Sequence, residues 1–155
     1  YAALLEMLAV ESDHNVQAEI ANSLGMYGHV AVSPLVDLFH QNKNWLVRRS
    51  ILAIMPEMEC PDQLLKIALE SLQDADETIA QAGISTLGML ADTPQSETAL
   101  AALLPLVGSQ SWRSRMYLAY ALKQFKAQTA QAALSQLRQD SHHKVVAAAL
   151  ENLVT

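Results

Sequence analysis

A chain of 155 residues is long enough for one domain, and its core has to be aliphatic because 51% of the residues are hydrophobic but only 5% are aromatic. Five glycines and five prolines are too few for the many turns of an all-β sandwich or barrel. The formal charge of −6 argues against a large phosphate-binding surface, and every apolar run is shorter than a membrane span.

Five segments of ten residues align without gaps and share one pattern. They begin at positions 16, 47, 79, 114 and 145, so that successive starts are 31, 32, 35 and 31 residues apart. Their first, fifth and ninth positions are mostly apolar or small, which places these positions on one face of a helix. We therefore predict five equivalent helices. Each is preceded by a residue suited to cap it: Asp13, Asn44, Asp76, Ser111 and the Ser141-His142 pair.

A second set of five helices is predicted between these segments, and prolines mark several of their starts. Their ranges are 2–10, 34–41, 61–73, 94–108 and 127–139. Three begin with a proline, which is well tolerated at the first helical position: Pro34, Pro61 and Pro94. Pro105 lies inside the fourth pattern, so we expect a kink or an early end there. Glycines near the ends of the aligned helices are expected to stop them with a left-handed backbone: Gly25, Gly28 and Gly88.

The aligned segments resemble short HEAT repeats, a type also found in phycobilin lyases. The family pattern is Val-Arg-x-x-Ala-Ala-x-Ala-Leu-Gly after a turn that contains Asp. The positions that match it are Asp13, Val16, Ala21, Leu24 and Gly25, then Val47 and Arg48, then Asp76, Ile79, Leu87 and Gly88. The arginine that forms an Asp–Arg ladder in this family occurs as Arg48 and Arg115. Other residues replace it elsewhere: Gln17, Ala80 and Val146.

The predicted fold is all-α, a right-handed α-solenoid (an α-α superhelix) of five HEAT-like helical hairpins. A hairpin cannot bury its apolar face alone, so neighbouring hairpins are expected to stack and share one core. The resemblance implies that the second helix of each hairpin lines the concave side. We expect a single HEAT-repeat domain over 1–155, with repeats over approximately 1–28, 29–59, 60–92, 93–126 and 127–155.

Both ends of the sequence lie within helical patterns. The chain begins inside such a pattern at Tyr1 and finishes on apolar residues at Leu153 and Val154, before Thr155. Terminal repeats of solenoids usually have a polar outer face. We therefore interpret the sequence as an excised part of a longer array. The alternative is that self-association covers both terminal repeats.

The exposed strip of the second helices is the predicted partner-binding surface. If the first, fifth and ninth positions are buried, the third, fourth, seventh and eleventh should be exposed. These positions hold Ala18, Glu19, Asn22, Met26, Arg49, Ser50, Ala53, Glu57, Gln81, Ala82, Ser85, Met89, Met116, Tyr117, Tyr120, Gln124, Ala147, Ala148 and Glu151. Tyr and Met are enriched in interface cores, so Met116, Tyr117 and Tyr120 are the preferred contact patch. The alternative is that the tyrosines pack against neighbouring helices.

Two tryptophans occupy equivalent positions, two residues before their aligned segments. Trp45 and Trp112 should therefore lie along one edge of the solenoid, where His14, Glu77 and His143 take the same place in the other repeats. Aromatic rings at such an edge could clamp the chain of a partner. The interpretation that we favour is that each ring closes its turn by packing on the preceding helix.

Residues suited to catalysis or metal binding do not cluster in this sequence. The histidines are far apart in the predicted stack or adjacent on one helix start, so we expect no metal site. Cys60 is the single cysteine, and the pKa of its thiol should be raised by acidic neighbours such as Glu59, which argues against nucleophilic catalysis. One cysteine and no visible signal peptide fit a cytoplasmic protein.

The preferred function is a non-catalytic scaffold that binds a partner protein or peptide along the concave face, without a cofactor. Its contacts are expected at Met116, Tyr117, Tyr120, Gln124, Met89, Arg49, Glu57, Trp45 and Trp112. The alternative that the resemblance permits is a tetrapyrrole (bilin) lyase-like or chaperone-like subunit. Nucleic-acid binding by a HEAT-like domain is a weaker third alternative, because the predicted strip is too neutral to hold phosphates.

Overall fold

Residues 1–151 are described by a computed structural model, and they form helices, turns and no strand. No helix in this range is both long enough and apolar enough to cross a membrane. The predicted apolar end at Leu153, Val154 and Thr155 lies outside the described residues. The ten α-helices of residues 1–151 are α1 Ala2–Val10, α2 His14–Gly25, α3 Val32–Gln41, α4 Trp45–Ile54, α5 Pro61–Ser71, α6 Glu77–Gly88, α7 Ser96–Leu103, α8 Trp112–Leu122, α9 Gln128–Leu137 and α10 His143–Leu150.

Consecutive helices pair as hairpins, and the hairpins pile up in chain order. The even-numbered helices each contact the next one, from α2 through α10, and the odd-numbered helices pack beside them. Leu24, Ile51, Leu87 and Leu118 are fully buried in the core that these helices share. The aligned face is therefore the stacking face, apart from Val16, which is exposed at the first repeat. This architecture confirms the prediction of an all-α solenoid.

The predicted caps begin each even-numbered helix. The Asp13 carboxylate accepts from the backbone N–H groups of Asn15 and Val16. Three further side chains cap the next helices in the same way: Asn44, Asp76 and Ser111. In the last repeat His142 takes this role, because its Nδ1 accepts from the Lys144 N–H at 3.1 Å. A cap satisfies backbone donors that have no partner inside the helix, so the sequence fixes these five starts locally.

The prolines mark the odd-numbered helices less regularly than predicted. Pro61 is the first residue of α5, as expected. The expected start at Pro34 is wrong, because a 3₁₀-helix over Gly28–Ala31 runs directly into α3, which begins at Val32 and takes the proline into its first turn. Pro94 is also not a helix start. It lies in a turn in which the Thr93 hydroxyl donates to a carbonyl, and α7 begins only afterwards.

Three odd-numbered helices, α5, α7 and α9, also end earlier than predicted, whereas α1 and α3 end at the predicted residues. Pro105 ends α7, as expected: the α-helix stops at Leu103 and a 3₁₀-helix over Leu104–Gly108 contains the proline. This confirms the early end of a pattern that otherwise continues to residue 108. α5 ends at Ser71 and α9 at Leu137, each two residues before the predicted boundary, because the chain turns there toward the next capped helix.

The glycines at the ends of α2 and α6 have a different role from the one predicted. Gly25 and Gly88 are helical, and of the predicted helix-stopping glycines only Gly28 has a positive φ, at 70°. A Cβ on Gly25 would lie 2.0 Å from Ile54 Cγ1, and one on Gly88 would lie 3.0 Å from the Cα of Ala121. These two glycines therefore allow neighbouring even-numbered helices to approach closely, and they do not end a helix by left-handed backbone.

Arg48 links the second repeat to the third through a buried ion pair. Its Nη1 donates to Asp74 Oδ2 at 2.7 Å, and the two side chains are only 10% and 9% exposed. Nε and Nη2 donate to the carbonyl oxygens of Asn42 and Phe39 at 3.0 and 2.9 Å. The guanidinium also lies 4.4 Å from the centre of the Phe39 ring. The side chain is thus held within its own repeat while it bonds to the next one.

The same link recurs at two other repeat boundaries. Arg115 donates to both carboxylate oxygens of Asp140, at 2.8 and 3.1 Å, between the fourth and fifth repeats. Between the first and second repeats Gln17 stands at the arginine position, and its Oε1 accepts from Asn42 Nδ2 at 2.9 Å. A neutral amide pair therefore extends a ladder that the sequence predicted only at its two arginines.

The third boundary lacks this link because Ala80 has no polar side chain to donate. Another contact joins the two repeats there. The Ser111 hydroxyl donates to Glu77 Oε1 at 2.9 Å, on the first turns of α8 and α6. The ladder is therefore interrupted between the third and fourth repeats, as the sequence indicates, without loss of stacking between α6 and α8.

Candidate functional site

A groove of about 410 Å³ crosses the three central even-numbered helices, α4, α6 and α8. Side chains from three successive repeats line it: Arg49, Leu52, Ala53, Thr78, Gln81, Ala82, Ser85, Thr86, Met89 and Tyr117. Most of them are short, so the space between the longer side chains of Arg49, Met89 and Tyr117 stays open. We call this surface the central groove.

Seven residues of the predicted exposed strip line the central groove. They are Arg49, Ala53, Gln81, Ala82, Ser85, Met89 and Tyr117. Three of these were singled out as partner contacts, namely Arg49, Met89 and Tyr117. The strip is not exposed along its whole length, however. Ala18 and Ala148 were expected at the surface but are buried, because an alanine side chain ends at Cβ and closely packed helices cover it.

The predicted apolar patch on α8 divides into two parts. Met116 and Tyr117 are partly buried and pack against the core, although Tyr117 also reaches the central groove. Tyr120, one turn further on, is 43% exposed and lies outside that groove. The three side chains therefore do not form a single contact surface. Their roles as partner contacts stay predictions.

Tyr120 belongs to a small polar group at the boundary with the last repeat. A hydrogen bond to the Glu151 side chain, together with burial, raises the pKa of the Tyr120 hydroxyl. The Lys123 ammonium lies 5.4 Å from the centre of the Tyr120 ring and donates to the Glu151 carbonyl oxygen. Gln124 and Glu57, two other predicted contacts, are exposed away from the central groove.

Trp112 packs against the core and against the repeat that follows it. The His142 ring stacks on the indole, with centroids 3.9 Å apart and planes tilted by 7°. The cationic groups of Arg113 and Lys144 lie 4.5 and 5.4 Å from the indole centre. The capping residue of α10 therefore covers one face of the ring. Closure of the turn by packing on the preceding helix stays a prediction for Trp112.

Trp45 has the equivalent backbone position but a more open environment. Its side chain is 44% exposed and lines a surface cavity of about 690 Å³ at the boundary of the second and third repeats. We call this cavity the edge slot. It is lined by Lys43, Asn44, Trp45, Arg48, Glu70, Gln73, Asp74, Ala75 and Asp76.

The ladder partners of Gln17, Arg48 and Arg115 are the important residues that sequence reasoning missed. It noted the helix caps, but these inter-repeat partners stand two residues earlier. They lie five residues before the starts of their aligned segments: Asn42, Asp74 and Asp140. Each side chain also accepts from the backbone N–H of the capping residue. A polar residue recurring at this offset was a signal available in the alignment.

Cys60 and the possible metal ligands lie outside the lining of the central groove. No group of three or more His, Cys, Asp or Glu side chains within residues 1–151 is arranged to hold a metal ion. Cys60 is buried between α4 and α5, and its Sγ lies 3.6 Å from the Met55 carbonyl oxygen as a weak donor. The pKa of the thiol is raised as predicted, but the cause is burial and not its acidic neighbours. A buried thiol of this kind is a poor nucleophile.

The stacked hairpins, one continuous core and a groove across successive second helices define an α-solenoid, a class whose repeats build extended binding surfaces. A family model described as HEAT repeats matches residues 60–154, which is more than half of the chain. The chain belongs to the HEAT-repeat family. No curated protein matches it. The similarity to the phycobilin lyase type of repeat stays a prediction.

Proposed function

We propose that this chain is a non-catalytic scaffold that binds a segment of a partner protein in the central groove. The observation that carries the proposal is the groove itself, which takes its lining from three successive repeats. HEAT repeats commonly serve as protein-interaction scaffolds, and the family match supports this general role. A segment that lies across α4, α6 and α8 would contact equivalent positions in each repeat.

The lining of the central groove indicates the chemistry of the segment. Met89 is 59% exposed, and its flexible thioether side chain can adapt to apolar partners. Tyr117 adds an aromatic ring with a hydroxyl group, a side chain that is enriched in interface cores. Arg49 is the single charged residue among those that line the groove. A mainly apolar segment with a carboxylate opposite Arg49 fits this surface best.

The chemical types of the side chains that line the central groove favour binding over catalysis. Among the described residues that line the central groove there is no His, Cys, Asp or Glu. His, Asp and Glu supply most general bases in enzymes, and without such a base beside them the Ser and Thr hydroxyls of the lining are weak nucleophiles. The small side chains of Ala53, Ala82 and Ser85 instead allow another backbone to approach the helices closely.

The proposal can be tested with a variant in which a larger side chain fills the central groove. Ala53 is exposed on α4 and lines the central groove, so Ala53→Arg should fill the space without disturbing the core. Ala132→Arg makes the same change at an exposed position of α9, outside the groove, and serves as the matched control. Both variants should retain the circular dichroism spectrum and thermal midpoint of the unmodified chain.

The readout is quantitative mass spectrometry of proteins retained from native cell extract by the three immobilised chains. We expect a partner that is retained by the unmodified chain and by Ala132→Arg but is lost on Ala53→Arg. Equal retention of every partner by Ala53→Arg and Ala132→Arg would exclude the central groove. Retention of duplex DNA with a steep loss on added salt would instead support the nucleic-acid alternative.

A further inference from the structure

Trp45 and Trp112 occupy equivalent positions in two repeats, but the residues around their rings differ. Three residues cover the Trp112 ring: Arg113, His142 and Lys144. In the alignment of the repeats their counterparts around Trp45 are Leu46, Asp76 and Thr78. None of these three counterparts has a cationic group or an aromatic ring that could interact with the Trp45 ring. The indole in the edge slot lies beside a carboxylate residue instead.

The charges of the edge slot leave Asp76 as the carboxylate that can accept a new partner. Arg48 and Asp74 are paired with each other, and Glu70 is paired with His40 at 2.8 Å. Asp76 accepts the Thr78 N–H through Oδ1, and within residues 1–151 it forms no ion pair. Its second carboxylate oxygen makes no hydrogen bond within the described residues and can accept one from a partner.

We propose that the edge slot binds an arginine side chain of a partner protein, with the guanidinium stacked on Trp45 and donating to Asp76. The Trp112 ring supports this choice, because a guanidinium, an ammonium and a stacked planar ring already gather on it. Arginine combines the planarity of His142 with a fixed positive charge, and it stacks on indole faces while it donates to carboxylates. This site is separate from the central groove and does not depend on the proposed function.

The test uses the indole N–H signals of the ¹⁵N-labelled 155-residue chain, with the Trp45 signal assigned by Trp45→Phe. The probe is the blocked tripeptide Gly-Arg-Gly, and the control probe replaces arginine by citrulline, which has nearly the same shape but no charge. We expect a saturable shift of the Trp45 signal with the arginine peptide, at a Kd on the order of tens of millimolar for one exposed cation–π contact with one ion pair. The Trp112 signal should not move, because its ring is already covered.

Two substitutions of one residue separate binding from folding. Asp76→Asn keeps a good helix cap but removes the charge, so the Kd should rise about two- to fivefold, the effect of losing an exposed ion pair. Asp76→His copies His142, which caps α10 while it covers Trp112, so it should close the edge slot and abolish the Trp45 shift. Equal shifts with arginine and citrulline peptides, no saturable shift, or an unchanged Kd in Asp76→His would each overturn the proposal.

Discussion

Because Arg48 forms a ladder contact, we predict that its replacement by another polar residue, glutamine, causes a large loss of stability. Arg48→Gln removes the charge opposite Asp74, a carboxylate that is only 9% exposed, and shortens a side chain that makes three hydrogen bonds. Breaking a buried ion pair by removal of one partner costs about 3–5 kcal/mol, since the remaining charge is left unpaired. We expect Arg48→Gln to lower the free energy of unfolding by about that amount.

The structure also indicates how the loss can be recovered. Gln17 and Asn42 form the same link with two neutral amides. Asp74→Asn added to Arg48→Gln should copy this pair and remove the unpaired carboxylate. We expect the double variant to be more stable than Arg48→Gln alone by about 1–3 kcal/mol, the desolvation penalty that an unpaired buried acceptor would otherwise carry.

Urea unfolding followed by circular dichroism measures these differences, and the adjacent arginine provides the control. Arg49 is exposed on the same helix and makes no ladder contact, so Arg49→Gln should change the free energy of unfolding by no more than about 0.5 kcal/mol. The reasoning is refuted if Arg48→Gln costs no more than Arg49→Gln. It is also refuted if Asp74→Asn adds its full cost to that of Arg48→Gln, because the two side chains would then not be coupled.

Two further predictions concern helix approach and pH. Gly88→Ala should destabilise the chain by about 1–3 kcal/mol despite the better helix propensity of alanine, because the new Cβ would lie 3.0 Å from the Ala121 backbone. Gly108→Ala, with nothing within 4 Å, should not, and equal thermal midpoints would contradict this. Arg115 lowers the pKa of Asp140, so this carboxyl stabilises the fold above about pH 4 and loses that effect as pH falls through its lowered folded-state pKa. Urea unfolding over a pH series should therefore show the deficit of Asp140→Asn shrinking below about pH 4, and a deficit independent of pH would contradict the assignment.

Local rules explain which parts of the fold could be read from the sequence. A cap acts on backbone groups two or three residues away, so Asp13, Asn44 and Ser111 mark helix starts in any context. The stacking face could be predicted because apolar residues recur at helical spacing in each of the five aligned segments. Gly88 could not be interpreted in this way, because its role depends on Ala121 in the next repeat, a contact that the local sequence does not contain.

The same distinction explains the partial success at the candidate site. Helical spacing correctly brought Arg49, Met89 and Tyr117 to the central helices, where they line one groove. It did not separate Tyr120 from Tyr117, because the two lie on nearly the same face of α8. What separates them is the neighbouring repeat: Tyr117 faces the groove that α6 and α4 complete, whereas Tyr120 lies beside Glu151 of the last repeat.

The following repeat also determines how exposed each of the two tryptophans is. The surface around an indole can therefore vary without loss of stacking between the repeats. The residue three positions before an aligned segment has two tasks, to cap its own helix and to border the indole of the preceding repeat. Asp76 and His142 perform the first task equally, since both accept a backbone N–H. They differ in the second, because an imidazole stacks on Trp112 whereas Asp76 leaves Trp45 exposed. One substitution at this position can therefore expose or cover the neighbouring indole while the cap that begins the helix is kept.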